Sequence, residues 1–233
     1  MTNALTRRAL LGAGLFGLVG CGQPPPATGN KIPSGTSNTP RLRLIGEATL
    51  PHRMDFQGTV VGGLSGIDYD PASGLYVLVS DDRSQLNPAR FYTARIPLTA
   101  AGLAPPALHS VTHLLRADGR TFPSRRRAQA HEEVPDPEAI RWLPSGNLLW
   151  TSEGAVTRGM GPALYESQAD GRWVRSIALP AMFDANLGGS TGPRDNQALE
   201  GLALTPDGRT AWLAMEDALI QDGPLPRIGA VGG

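Results

Sequence analysis

EGLALTPDGRTAWLAMED, residues 200–217, has two relatives earlier in the chain: SGIDYDPASGLYVLVSDD at 65–82 and EAIRWLPSGNLLWTSEG at 138–154. In each copy a small or acidic residue opens a short alternating run. A turn follows (Pro71 and Gly74, Pro144 and Gly146, Pro206 and Gly208), and a second apolar run ends in carboxylate. Alternation interrupted by turn residues and then resumed is the pattern of a β-hairpin. The closing acids are Asp81 and Asp82, then Glu153, then Glu216 and Asp217. A hairpin returns the chain to the edge it left, so Ser65, Glu138 and Glu200 belong beside those acids. Arranged radially, three such hairpins bring their acidic ends together. The copies are unevenly spaced and further apart than the roughly 40–50 residues of a common propeller repeat. The intervening segments then supply outer strands. The expected fold is all-β and β-propeller-like, with one inner hairpin per sector. With no closing strand visible before Gly233, it reads as incomplete at the C-terminus.

A chain of 233 residues is long enough for one substantial β core. Gly 29 and Pro 21 are spread among apolar runs, which indicates many turns between short strands. The 21 basic residues balance 21 acidic ones, so nothing points to a nucleic-acid partner. The N-terminus reads separately. Arg7 and Arg8 precede a weakly apolar run, 9–20, that ends at Cys21, the sole cysteine. This is the layout of an export signal. It resembles a bacterial lipoprotein signal, with Leu18-Val19-Gly20-Cys21 in place of the lipobox, and Thr6-Arg7-Arg8 resembles a twin-arginine start. The apolar run falls short of the ~20 residues that cross a bilayer. The expectation is a signal peptide at 1–20, lipidation of Cys21, and a Pro/Gly/Ser-rich tether at 21–40. A single domain at 41–233 would then be exported to the cell envelope (periplasm) and held at a membrane by the lipid, as a monomer.

Within that domain, 41–50 reads as a first strand ended by Pro51, and 90–97 and 108–115 as further strands. Residues 163–168 and 173–179 read as a hairpin across Asp170-Gly171. The polar stretch 120–137, with Arg125, Arg126 and Arg127 in a row, reads as a solvated loop. The long loop 182–197 delivers Arg194, Asp195 and Asn196 to the edge where the acids gather.

The candidate metal ligands are Asp81, Asp82, Glu138, Glu153, Glu200, Glu216 and Asp217. Carboxylates crowded together raise one another's pKa or require a cation. Hard oxygen ligands suit calcium, which takes about 6–8 of them, better than zinc. His52, His109, His113 and His131 are scattered and form no zinc cluster. A cation among carboxylates lowers the pKa of bound water and polarises a phosphoryl or carbonyl oxygen. Arg83, Arg141, Arg158 and Arg194 lie beside these loops, and arginine matches phosphate oxygens bidentately. Ser65 lacks the G-x-S-x-G elbow and has no histidine placed to activate it, which argues against a covalent serine mechanism.

Taken together, Gly63-Leu64-Ser65-Gly66-Ile67, Ser80-Asp81-Asp82-Arg83, Asp136-Pro137-Glu138-Ala139-Ile140, Ser152-Glu153-Gly154, and Asn196 with Glu200-Gly201-Leu202-Ala203 resemble the bacterial group called esterase-like activity of phytase. The resemblance runs from about residue 42 to 222 and implies a phytase-like β-propeller whose acidic ends hold the metals of a calcium-dependent phosphoesterase. On that basis the expected activity is hydrolysis of a small anionic, phosphorylated substrate. Glu138 and Glu200 would act with the cations on water, and Arg83 or Arg158 would hold the phosphate. The alternatives are a non-catalytic envelope-binding module with a structural calcium, and a hydrolase of carboxylic esters.

Overall fold

Fourteen strands follow one another through the computed structural model, which describes residues 42–100, 102–229 and 232. They are β1 (Asp55–Phe56), β2 (Thr59–Val60), β3 (Leu64–Asp70), β4 (Leu75–Ser80), β5 (Arg90–Arg95), β6 (Leu98–Thr99), β7 (Gly102–Leu103), β8 (Ala107–His113), β9 (Pro137–Trp142), β10 (Leu148–Ser152), β11 (Ala163–Ser167), β12 (Trp173–Ile177), β13 (Leu199–Leu204) and β14 (Ala211–Met215). The only helical elements among the described residues are three short 3-10 turns, so the fold is all-β. The signal peptide, the lipidated Cys21 and the tether expected at 1–40 lie outside the described residues.

Each repeated stretch is an antiparallel hairpin: β3 with β4, β9 with β10, and β13 with β14. The first two are the inner halves of four-stranded sheets, ordered β3-β4-β5-β8 and β9-β10-β11-β12, while β13 and β14 form a two-stranded sheet. Sequential antiparallel order follows from the short turns, because a two-strand hairpin needs no crossover. The innermost strands β3, β9 and β13 are spatial neighbours in that order, so the sheets stand side by side as propeller-like blades that do not close into a ring.

Apolar residues alternating to both faces of the middle sheet weld the blades. One face, with Ile140, Leu148, Trp150 and Tyr165, meets Val77, Val79 and Phe91 of the first sheet around Leu114 and Phe122. Trp150 stacks on Tyr165 at 4.4 Å. The other face presents Ala139, Leu149 and Leu164 to Leu202, Leu204 and Leu213 of the third hairpin. Burying side chains of this size contributes about 1.5–3 kcal/mol each, so the two layers fix the hairpins relative to one another. Closer to the axis, Gly66 lets β3 approach β9: a Cβ there would lie 2.7 Å from the Glu138 carbonyl oxygen. Trp142 N–H donates to Asp68 at 2.8 Å and Arg141 to the Ile67 carbonyl at 2.9 Å, tying the same two strands.

Of the first strand expected at 41–50, the described residues 42–50 are irregular and form no strand. Leu44 and Ile45 are exposed, so the alternation there has no sheet face to cover. Ile45 and Gly46 instead run against the small hairpin of β6 and β7.

Candidate functional site

The register of the three inner hairpins is interrupted at one equivalent place. Leu64 pairs with Ser80 and Gly66 with Val79, leaving Ser65 over; Leu199 pairs with Met215 and Gly201 with Ala214, leaving Glu200 over. In the middle hairpin Pro137 pairs with Ser152 and Ile140 with Trp150, so Glu138 and Ala139 oppose Thr151 alone. A β-bulge re-aims the side chain of its extra residue. The opening residue of every copy is therefore a bulge residue, and in two copies it is a glutamate.

The closing acids are held just as repetitively. Asp81 N–H donates to the Gly63 carbonyl (2.8 Å), Glu153 N–H to that of Asp136 (3.0 Å) and Glu216 N–H to that of Ala198 (2.7 Å). One residue past its strand, each acid is clamped to the residue that precedes the inner strand. Glu153 binds the third blade as well, its Oε1 accepting the Ala198 N–H at 2.5 Å.

A cavity of about 610 Å³ opens at this edge, lined in part by Asp81, Asp82, Asp136, Glu138, Glu153 and Glu200. Oxygens of Asp136, Glu138 and Glu153 lie within 4.8 Å of one another, and so do those of Glu153, Glu200 and Glu216. Glu153 belongs to both groups. Asp136, Glu138 and Glu153 are all buried, and the cationic partner of this trio is Arg83, ion-paired with Asp136. Apart from that guanidinium, the buried Asp136 Oδ2 meets no polar partner among the described residues.

One guanidinium against three buried carboxylates leaves negative charge uncompensated, and the pKa values respond. Burial, then Asp136 and Glu200, push Glu138 up to about 9. Burial pushes Glu153 up to about 7 against the opposing Ala198 hydrogen bond, with Asp136 adding to the rise. Asp81 is raised by burial and by Asp136, and Glu200 by burial and by Glu216. An all-oxygen donor set with excess negative charge fits a hard cation such as calcium and offers no soft ligand. Asp136, Glu138, Glu153, Glu200 and Glu216 are the residues placed to hold it.

The other sequence candidates are placed differently. Asp82 lines the cavity, yet its carboxylate accepts the N–H groups of Gln85, Leu86 and Asn87 and pairs with Arg90 at 2.8 Å. Burial works to raise its pKa, but the Asn87 N–H and the Arg90 guanidinium lead the contacts that hold it below the usual range. Its role is to fold the loop after β4. Asp217 caps the neighbouring Ala218 N–H at 2.7 Å and does not line the cavity. Arg158 is also outside it, donating to the carbonyls of Ala128 and Gln129, and Arg194 donates to those of Ala218 and Gly223. Arg83 does line the cavity, held by Asp136 and Asn196.

Among the lining residues that the sequence did not mark as part of the site are Asp136, one position before its strand, and Arg53, on a turn far upstream. The triplet Asp136-Pro137-Glu138 carried a signal for the first, since a residue before an inner strand shares an edge with the closing acid. Nothing in the local pattern marked the second.

No match is found among curated proteins. Residues 59–231, which include all three inner hairpins and their acids, match the family described as Phytase-like, esterase-like activity of phytase. The chain belongs to this phytase-like family.

Proposed function

We propose that the chain is a metal-dependent hydrolase of phosphate esters, with calcium as the cation. The observation that supports this reading above all others is the meeting of buried carboxylates from separate hairpins around Glu153, with too few guanidinium groups to neutralise them. Asp136, Glu138, Glu153, Glu200 and Glu216 would hold the cation, and when bound it would polarise a phosphoryl oxygen and acidify a water. Glu138 and Glu200 are assigned the proton transfers: burial and neighbouring carboxylates raise both above the ordinary carboxyl range, which strengthens each as a proton acceptor. Glu200 is exposed at the cavity mouth and Glu138 is buried, so one meets incoming water and the other stays shielded. Arg83, at the cavity wall, keeps the charge of Asp136 in check.

The proposal extends to location. Arg7, Arg8, the run 9–20 and Cys21 support export to the cell envelope and anchoring by lipid, with a small phosphorylated substrate met outside the cytoplasm.

The test is hydrolysis of a panel of phosphate and acyl esters before chelation, after it, and after calcium is restored. Phosphate-ester cleavage that disappears on chelation and returns with calcium is expected. Calcium that binds tightly and stabilises the protein without any turnover would make it a non-catalytic binding module. Chelator-sensitive cleavage of acyl esters alone would make it a carboxylic-ester hydrolase.

A further inference from the structure

Three arginines line the cavity: Arg53, Arg83 and Arg90. Arg90 is 1% exposed and fully engaged, its Nε on the Tyr92 hydroxyl (2.7 Å), one terminal nitrogen on Asp82 (2.8 Å) and the other on the Val60 carbonyl (2.7 Å). Arg83 is taken up by Asp136 and Asn196. Arg53 is exposed and makes no hydrogen bond or ion pair among the described residues. It is the guanidinium at this cavity that is free to meet a ligand.

Its backbone adds an independent observation. Residues 51–54 form a turn closed by Met54 N–H on the Pro51 carbonyl at 3.2 Å. The turn is pinned to the body, because the Met54 carbonyl accepts Val61 N–H at 2.8 Å and the Met54 side chain packs against the cluster of Val61, Leu78 and Tyr92. Arg53 sits in it at φ +52°, a left-handed conformation that costs a side-chain-bearing residue energy and that glycine adopts freely. Strain of this kind, held by a pinned turn at a cavity wall, is characteristic of ligand clamps. His52, also on the wall, stands beside it.

We propose that Arg53 is the substrate-binding arginine of this site, gripping the phosphate group of a compact phosphate ester through its guanidinium fork while the carboxylates of the same cavity hold the cation. This rests on the hydrolase reading above and narrows it. A guanidinium fork matches phosphate oxygens bidentately and gains little from a neutral acyl ester. A cavity of about 610 Å³ suits a small organic phosphate. Arg53 thereby sets the preference for phosphate over acyl esters.

The test compares the full chain with Arg53→Gly and Arg53→Lys, each loaded with calcium and titrated calorimetrically with inorganic phosphate. Arg53→Gly removes the guanidinium and fits φ +52°, so its melting temperature and calcium affinity are expected to match or exceed those of the parent. Its phosphate affinity is expected to fall about tenfold or more, the loss of a charge-assisted pair, with Arg53→Lys in between. KM for p-nitrophenyl phosphate should rise by a similar factor with little change in kcat. Unchanged phosphate affinity and KM in Arg53→Gly, beside a parent that still hydrolyses phosphate esters, overturns the assignment and leaves the hydrolase reading standing. A parent that binds phosphate and cleaves nothing, with binding weakened in Arg53→Gly, upholds the assignment and removes the hydrolase reading. A parent that binds no phosphate overturns the assignment.

Discussion

Glu153 carries two duties that a single substitution separates: it belongs to both carboxylate groups, and it anchors the third blade through the Ala198 N–H. Glu153→Gln keeps an oxygen for that hydrogen bond and removes the charge. Calcium affinity measured by calorimetry is expected to fall by about tenfold or more, the usual worth of one charged ligand contact, while the metal-free protein melts no lower than the parent. The pH dependence of the metal-free protein follows from the same crowding. Folded Glu138 and Glu153, pushed up to about 9 and about 7, retain protons that the unfolded chain releases near 4.5. Between those values the folded state binds more protons than the unfolded state, so stability falls as pH rises through that window. Denaturation at a series of pH values should show this decline, and Glu138→Gln should flatten it on the alkaline side. A slope of the opposite sign would mean that the acids are neutralised by groups other than protons.

The bulged hairpin is the device that turns a repeated sequence into a site. Its position depends on strand register and on close contact between β3 and β9, which Gly66 permits. Gly66→Ala places a methyl group 2.7 Å from the Glu138 carbonyl oxygen and 2.9 Å from Ala139 Cα, so strand must move against strand. A loss of ~1–3 kcal/mol in stability is expected from such overpacking, with a fall in calcium affinity because the Glu138 bulge shifts with it. Melting curves and calorimetry on the variant check both. Strand–turn–strand was legible here because turn chemistry is local: Pro144 with Gly146 and Pro206 with Gly208 announce their turns without any knowledge of the rest of the chain. Bulges are set by pairing between strands and left no trace in the alternation. The fate of Asp82 had a local signal, an acid ahead of Arg83-Ser84-Gln85 able to cap its own loop. Arg53 had none, since a lone arginine on a turn looks like any solvated residue until the fold brings the turn to the cavity.

Among the described residues, three blades are welded through two apolar layers, with two groups of carboxylates gathered where their acidic ends meet. Such a body is stabilised when a cation joins the blades: at a hundredfold excess over the dissociation constant, binding adds about 2.7 kcal/mol. Calcium should therefore raise the melting temperature in a concentration-dependent way, and chelation should reverse it; a melting temperature indifferent to both would count against the cation site. At the other end of the chain, Cys21→Ser is expected to move the protein from the membrane fraction to the soluble fraction of the envelope or to leave it unprocessed. Equal fractionation of variant and parent would remove the lipid anchor from the account. The most direct test of the central claim is a crystal soaked in calcium and read by anomalous scattering. The expected result is a cation at about 2.3–2.6 Å from Glu153 and from carboxylates of the neighbouring hairpin. A cation bound elsewhere, or a calcium-saturated crystal in which these carboxylates contact only protein groups, would contradict it.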